Sequence, residues 1–367
     1  MRTMAHVGMD VHKVETRVAL LPEGEADFLD QCRLETSAKA LREYLHRWAD
    51  RFELRCYYEA GPLGYTPYRW LTQAGIACEM IAPTLTPRAP GDRRKTDVRD
   101  ARVLARQARA GGLVAVHVPT PEEEALRTLV RYRAVCQQEL LAAKHRVLKL
   151  LGVRGRYYLE GKQWTQAHWR WLRSQSLPET YAEWVLEQYR AEVCYRQERL
   201  TEADRQLVEV SQSAAYAGRV GRLCCFRGIA VLSALVILAE TIDFGRFPSA
   251  PQYMDYWGLT CGEHSSGGVR RLLPITKCGS GFLRRIWVEA AWHYRHKPAV
   301  SEGLRRRQEG QPPEVIAHAW KAQLRLHQKY WRLATAKSPT IAVVAIAREL
   351  AGFVWGAMRV GPNEEGR

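Results

Sequence analysis

The first part of the chain alternates short apolar runs with polar turns, a pattern that predicts three strands followed by alternating helices and strands. Ser37 stands where a helix N-cap is expected, because its hydroxyl can accept from a free N–H of the first turn. The order β-β-β-α-β-α-β-α predicts an α/β domain, a mixed sheet with helices on its faces. The predicted elements are two strands within His6 to Leu21, a strand over Phe28 to Leu34, a helix to about Trp48, a strand over Leu54 to Tyr58, a helix over Tyr65 to Ala74 and a strand over Ala77 to Ile81.

The apolar positions then change to helical spacing. They predict one long helix over Pro121 to Leu151 and a second over Glu179 to Ser213. The expected architecture is an antiparallel helical hairpin or coiled coil, which either joins protomers, spans nucleic acid, or packs within one chain. Trp164, Trp169 and Trp171 between the helices are interpreted as packing residues, with stacking on single-stranded RNA as the alternative. The apolar positions of the first helix are Leu126, Leu129, Cys136, Leu140, Ala143, Val147 and Leu150.

The rest of the chain predicts a mainly α-helical domain interrupted by a glycine- and serine-rich loop at residues 263–268. A helix is expected over Gly281 to Trp292, and an apolar helix over Ile341 to Trp355. Three domains are therefore predicted, at residues 1–118, 119–215 and 216–367.

Composition and charge narrow the class of partner. The 367 residues hold 55 Lys and Arg against 39 Asp and Glu, and the net charge of +16 favours a polyanion, nucleic acid first. Nine cysteines without a CxxC pair indicate reduced thiols in a cytoplasm and argue against disulfides and a zinc site. Because no run approaches the roughly 20 apolar residues of a membrane span, no membrane is expected as a partner.

Four carboxylates stand where this fold would bring them together. Asp97 and Asp100 are three residues apart, which puts them on nearly the same face of a helix, and Asp10 and Glu59 come at the ends of two strands. Carboxylates are the ligands that Mg²⁺ prefers, and two divalent ions about 3.5 to 4 Å apart would polarise a scissile phosphate. The alternative for Asp97 and Asp100 is a helix N-terminal acid and a solvated surface residue paired with arginine.

A serine in the glycine-rich loop is a candidate nucleophile. The hydroxyl of Ser265 can come close to a phosphate because glycines flank it, although most serines in such loops only shape a turn. Both candidate sites lie among cations suited to a phosphate backbone. The candidate nucleic-acid-binding residues are Arg93, Arg94, Lys95, Arg99, Arg270, Arg271, Lys277, Arg284 and Arg285.

Six sequence blocks occur in a fixed order, at Gly8–Lys13, Glu59–Gly61, Lys95–Ala101, Gly258–Thr260, Ser265–Gly267 and Ile275–Trp292. In residues and spacing these blocks resemble the DEDD-motif transposases of the insertion-sequence family IS-110, including its IS-1111 branch, and the related Piv-type DNA invertases. The resemblance covers roughly residues 5–115 and 223–295.

The resemblance implies a RuvC-like, RNase H-type N-terminal domain in which Asp10, Glu59, Asp97 and Asp100 hold Mg²⁺, with Mn²⁺ as an alternative. It implies that Ser265 joins DNA covalently, with the metal site and the serine domain contributed by different protomers of a homodimer or homotetramer. It further implies donor and target DNA as substrates and a structured, bridge-type non-coding RNA as a guide. The function that follows is an insertion-sequence recombinase that cuts and rejoins DNA strands.

Two other functions stay open, and the family pattern is not followed everywhere. A RuvC-like structure-selective nuclease would hydrolyse DNA without Ser265, and a non-catalytic basic scaffold would bind nucleic acid through its helical hairpin. Arg227–Ala230 replaces the family's Pro-Gly-Ile-Gly hairpin, and Cys261 with Gly262 replaces a Pro-Ser pair. The chain after about His296 carries no motif of the family.

Overall fold

The alternating N-terminal pattern folds into a five-stranded mixed sheet, in a computed structural model that describes residues 2–83, 97–264 and 271–359. The strand order is β3-β2-β1-β4-β5, in which β1, β2 and β3 pair antiparallel whereas β1, β4 and β5 are parallel. The predicted mixed sheet is confirmed within the unit Met1–Pro119. Its strands are β1 (Thr3–Val11), β2 (Glu15–Pro22), β3 (Asp30–Glu35), β4 (Phe52–Glu59) and β5 (Ala77–Ile81).

Helices cover both faces of this sheet. Ser37 caps the first helix as predicted, because its side chain accepts a hydrogen bond from the N–H of Ala40. Leu41 and Leu45 of that helix pack against the side chains of one face of the sheet and form a core with them. The third helix packs on the opposite face. The helices are α1 (Ala38–Ala49), α2 (Thr66–Gln73) and α3 (Asp97–Arg109).

The third strand is shorter than predicted. It begins at Asp30 rather than at Phe28. The Phe28 ring lies instead beneath the guanidinium groups of Arg102 and Arg106 of α3, at 5.0 and 5.1 Å from its centroid. Phe28 therefore contacts helix α3 through cation–π interactions and does not extend the strand.

The second unit, Thr120–Arg367, begins with the two predicted long helices. They are α4 (Pro121–Gly152) and α6 (Thr180–Gln212), with the short α5 (Gln166–Ser174) between them. Arg133 meets Asp204 at 2.7 Å, and the later Glu139 of α4 meets the earlier Arg196 of α6 at 2.6 Å. The two helices therefore pack antiparallel within one chain.

The buried stripe of α4 differs from the predicted one at two positions. Val130 and Leu151 are buried, whereas the predicted Leu129 and Leu150 are only partly buried. Strict heptad spacing drifts around a helix of 3.6 residues per turn, so neighbouring positions take over the contact. Trp164, Trp169 and Trp171 pack against the core of the distal half of the helix pair, which confirms their interpretation as packing residues.

The remaining chain forms a mainly helical core, as predicted, with one feature that the helical pattern missed. A two-stranded antiparallel sheet flanks the glycine- and serine-rich segment. The elements are α7 (Ala217–Cys224), α8 (Val231–Thr241), α9 (Ala250–Tyr256), β6 (Cys261–Glu263), β7 (Leu272–Ile275), α10 (Gly281–Ala291), a 3-10 turn (Trp292–Arg295), α11 (Glu302–Gln308), α12 (Pro313–Ala334) and α13 (Pro339–Arg359).

Helix α13 is long and apolar enough to cross a membrane, contrary to the expectation that no segment would reach that length. In the fold its side chains Val343, Ile346, Leu350 and Val354 are buried in the same core as α8 and α10. The apolar composition is therefore accounted for by packing inside the second unit.

Candidate active site

Asp10 and Glu59 come at the same end of two neighbouring parallel strands. β1 pairs with β4 in the register Met9↔Tyr58, so the next residues of the two strands, Asp10 and Glu59, stand side by side, on strands about 4.8 Å apart. Successive strand residues face opposite ways, and Met9 and Tyr58 belong to the core beneath α1. Asp10 and Glu59 therefore belong to the other face, on which α3 packs.

Helix α3 crosses β1 at very short range because Gly8 has no side chain. A Cβ atom at Gly8 would stand 2.0 Å from the carbonyl oxygen of Ala101 and 2.7 Å from the backbone nitrogen of Ala105. Only glycine permits so close an approach of helix and strand. Gly8 and Asp10 share a face of the sheet, so this contact holds α3 directly over the face to which Asp10 belongs.

The direction of α3 carries its acids toward the same end of the sheet. Arg109, the last residue of α3, donates to the carbonyl oxygen of Pro22, which lies opposite the beginning of β1. The helix therefore runs antiparallel to β1, and its first turn, with Asp97 and Asp100, lies toward the strand end that carries Asp10. Asp100 is half-buried, whereas the side chains at positions 97–99 lie outside the described part of the chain.

Two residues beside Asp10 were not singled out from the sequence. His12 Nε2 lies 3.1 Å from Asp10 Oδ2, and Arg17 stands directly opposite Asp10 on β2. The signal for His12 was its spacing of two from Asp10, which puts both on one side of an extended chain. Arg17 could be found only from the register of β1 with β2.

The donors at this end of the sheet suit a hard divalent cation, because the predicted set consists of carboxylates alone. Among the described residues, no group of three or more His, Cys, Asp or Glu side chains is close enough to hold a metal ion. The set predicted from the sequence includes Asp97, whose side chain lies outside that description. What the structure does bring together is the backbone positions of Asp10 and Glu59 and the first turn of α3.

The second candidate site belongs to the other unit and is framed by β6 and β7. The N–H of His264 donates to the carbonyl oxygen of Arg271 at 2.9 Å, so the chain leaves and returns at one point. Residues 265–270, with the predicted Ser265 and Arg270, lie outside the described residues, as do Arg93, Arg94 and Lys95 of the predicted binding set.

The loop after β7 is held by two glycines with positive φ. A Cβ at Gly258 (φ 63°) would stand 2.3 Å from the backbone nitrogen of Cys278, and one at Gly279 (φ 65°) would stand 2.4 Å from the carbonyl oxygen of Tyr256. Glycine is needed at both positions, for conformation and for space. The loop from β7 to α10 is thereby locked against the end of α9.

Arg284 fastens the same loop from α10. Its guanidinium donates to the carbonyl oxygen of Trp257 at 3.2 Å and also to that of Cys278. Arg284 was predicted to bind nucleic acid, and in the fold one of its nitrogens, Nη1, makes both of these bonds to the protein's own backbone. Of that set, Arg271, Lys277 and Arg285 are exposed, and Arg285 lies 3.4 Å from Glu289 one helical turn later.

Comparison with known proteins identifies the family. Residues 7–153 match the family model of the IS110 DEDD transposase, described as a transposase, and residues 221–304 match that of the transposase IS116/IS110/IS902 family. The first match contains the β1, β4 and α3 acids, and the second contains the β6–β7 segment. The DEDD transposase domain is RuvC-like, in agreement with the mixed sheet described above.

Individual relatives support the same assignment. The chain is 36% identical to the putative transposase y4qE of Sinorhizobium fredii, over 97% of this chain and 88% of that protein. It is 32% identical to the transposase for insertion sequence element IS1533 of Leptospira borgpetersenii, over 91% and 97%. A relative at 26% identity, over 61% of each chain, is the transposase for insertion sequence element IS1111A of Coxiella burnetii. The resemblance seen in the sequence blocks is confirmed, and the chain belongs to the IS110 family of insertion-sequence transposases.

Proposed function

We propose that this transposase cuts and rejoins DNA strands by using two sites: a magnesium-binding set formed by Asp10, Glu59, Asp97 and Asp100, and the nucleophile Ser265. The observation that carries the proposal is the register of β1 with β4 beneath α3. In this register Asp10 lies beside Glu59, and the first turn of α3, with its two acids, lies toward the same end of the sheet.

The four carboxylates would hold one or two Mg²⁺ ions, or Mn²⁺, and a bound divalent ion supplies charge stabilisation to a phosphate under attack. Uncompensated carboxylates crowded at one strand end would repel each other, so the set requires cations nearby. Within the protein, Arg17 opposite Asp10 on β2 partly meets that need.

Ser265 would form a covalent link to DNA by transesterification. Its Oγ–P bond replaces one phosphodiester P–O bond, and the serine proton leaves with the released deoxyribose oxygen, so no oxidant or nucleotide cofactor is needed. Rejoining reverses these changes with a different deoxyribose hydroxyl. The backbone hydrogen bond between His264 and Arg271 supports this assignment, because it would fix the two ends of the segment that carries the serine.

A non-coding guide RNA of the bridge type would select the donor and target DNA, while the protein contacts shape and backbone. The net charge of +16 supports a partner that is bound through its phosphates. We further propose a homodimer or homotetramer joined through the α4–α6 helix pair. Exposed Tyr181 and Trp184 on α6 support that role, because such side chains commonly mark protein contacts.

Strand exchange on DNA that carries the element's ends tests the two sites. Glu59→Gln is expected to abolish exchange, whereas Glu53→Gln, an exposed acid at the opposite end of the same strand, leaves it intact. Ser265→Ala is expected to abolish exchange and to remove a protein–DNA adduct that survives denaturation. Exchange retained by Ser265→Ala would reject the covalent mechanism. Hydrolysis of DNA without rejoining by the unsubstituted protein would favour a RuvC-like nuclease.

The guide is tested by purifying the protein from cells that carry the complete element with its flanking DNA. A high-salt wash removes weak phosphate contacts, and the RNA that remains is sequenced. One discrete RNA with segments matching the element's ends and a flanking site is the expected result. Heterogeneous cellular RNA, or none, would contradict RNA guidance.

A further inference from the structure

Four side chains on one face of the sheet stand in a row across four strands. Asp10 on β1 stands beside Glu59 on β4 and is paired with Arg17 on β2, which is paired in turn with Arg33 on β3. Residues paired directly across strands share a face. The row therefore consists of two carboxylates followed by two guanidinium groups.

A groove opens beside the two arginines. Arg17, Gln31 and Arg33 line it from the strands, and Ala101 lines it from α3. Ala101 directly follows Asp100, so the groove begins beside the acids of the candidate active site. Because neighbouring strands are about 4.8 Å apart, Arg17 and Arg33 lie about 5 and 10 Å from Asp10 along the row.

Arg17 is only partly paired in the part of the chain that the structure describes. Its Nε is buried and has no hydrogen-bond partner among the residues that the structure describes. Its terminal nitrogen is 3.6 Å from Glu15, and the same carboxylate also pairs with Arg33. One acid therefore serves two guanidinium groups, and both side chains remain partly exposed, Arg17 to 30% and Arg33 to 65%.

We infer that Arg17 and Arg33 form a phosphate track that holds the backbone of the DNA strand being cut, on the side of β2 and β3. This inference rests on the proposed function, because it names where the substrate strand lies relative to the proposed metal site. A phosphodiester supplies acceptors to the exposed parts of both guanidinium groups, and its paired oxygens match the planar fork of arginine. An incoming phosphate competes with Glu15, so Glu15 weakens the track while it stabilises the empty protein.

Three substitutions test the track, because those of the arginines and that of Glu15 are expected to have opposite effects. Binding of a fluorescent duplex that carries one end of the element is measured on the full-length protein over a series of salt concentrations. Arg17→Gln and Arg33→Gln are each expected to raise Kd about three- to ten-fold and to reduce the slope of log K against log salt by about 0.7 to 0.9. Glu15→Gln is expected to lower Kd by about three-fold, because it frees both guanidinium groups.

A matched control comes from the same sheet. Arg55 on β4 is half-exposed and lies 3.8 Å from Glu53, but it stands away from the carboxylate end. Arg55→Gln removes one charge and one ion pair, and it is expected to leave Kd and the salt slope unchanged. Arg17→Lys keeps the charge without the fork and is expected to restore only part of the affinity.

A raised or unchanged Kd in Glu15→Gln would overturn the track. If the ion pairs of Glu15 served only to join β2 to β3, all three variants would lose thermal stability and none would gain affinity. An equal loss in Arg55→Gln would overturn it too, since the effect would then follow net charge. All variants are measured in an Asp10→Ala background, where no cleavage is expected. Failure of the track and failure of the proposed chemistry are therefore separate outcomes.

Discussion

The close crossing of α3 over β1 makes Gly8→Ala the most direct test of the candidate active site. The added Cβ would stand 2.0 Å from the Ala101 carbonyl oxygen, where a carbon–oxygen contact needs about 3.3 Å. The obstacle is helix backbone, which no rotamer change can move. Helix α3 must therefore retreat from the sheet by more than about 1 Å and take Asp97 and Asp100 with it.

Two measurable losses follow from this displacement. Overpacking of this kind costs about 1 to 3 kcal/mol, which corresponds to a fall of about 4 to 12 °C in the Tm of a domain of this size. Misplacement of reacting groups by about 1 Å can lower a rate about a hundred-fold, so strand exchange should fall by that factor. DNA binding at low salt should change little, because the substitution removes no charge.

Thermal unfolding and a strand-exchange assay measure the two effects. The matched control is Gly303→Ala in α11, where an added Cβ meets nothing within 4 Å. That substitution is expected to keep activity and to leave stability equal or slightly higher, because alanine favours a helix. Normal exchange by Gly8→Ala with a lowered Tm would show that chemistry does not depend on the position of α3, and an unchanged Tm would refute the packing argument itself.

Three further predictions concern the second unit. Burial of His168 lowers its pKa, so the folded state favours the neutral ring, and the contribution of this residue to the free energy of unfolding is full above the ordinary pKa of about 6.5 and declines as the pH falls below it. Urea unfolding at pH 7.5 and 5.5 should show this loss in the wild type but not in His168→Phe. Equal pH dependence of the two proteins would contradict the prediction. Arg284→Ala should cost about 1 to 3 kcal/mol, because two backbone carbonyl oxygens lose their donor, whereas Arg285→Ala should cost less than about 0.5 kcal/mol; equal costs would mean that Arg284 does not hold the loop. Glu240 is buried and binds the half-exposed Arg131 at 2.9 and 3.1 Å, so Arg131→Ala, which leaves a buried carboxylate behind, should destabilise by about 1 kcal/mol more than Glu240→Gln; the reverse order in chemical unfolding would refute this reasoning.

Local patterns were sufficient for most of the elements. Alternation with a period of two and turn residues predicted the β-β-β-α-β-α-β order, and the Ser37 cap was predicted from one residue type. These features depend on neighbours in the chain, so they can be read from the sequence. Boundaries failed where a tertiary contact decided them, as at Phe28, which seats two arginines of α3 instead of extending β3.

The candidate site divides in the same way. The residue types and spacing of Asp97 and Asp100 sufficed to put both acids on one helix, and the ordered blocks sufficed to recognise the family. The position of Asp10 beside Glu59, and the pairing of Asp10 with Arg17 and of Arg17 with Arg33, required strand order and register. A shift of one residue would move each of these side chains to the other face of the sheet.

What the sequence by itself determined is therefore the inventory: helices and strands in order, acids at strand ends, a serine among glycines, and an excess of positive charge. What only the tertiary structure decided is which of those groups meet. Gly8 brings α3 onto β1, Arg284 donates to the loop after β7, and the β6–β7 pair joins the ends of the serine segment. The physical reason is that such contacts link residues far apart in the chain, and their geometry depends on packing and register, which no local pattern encodes.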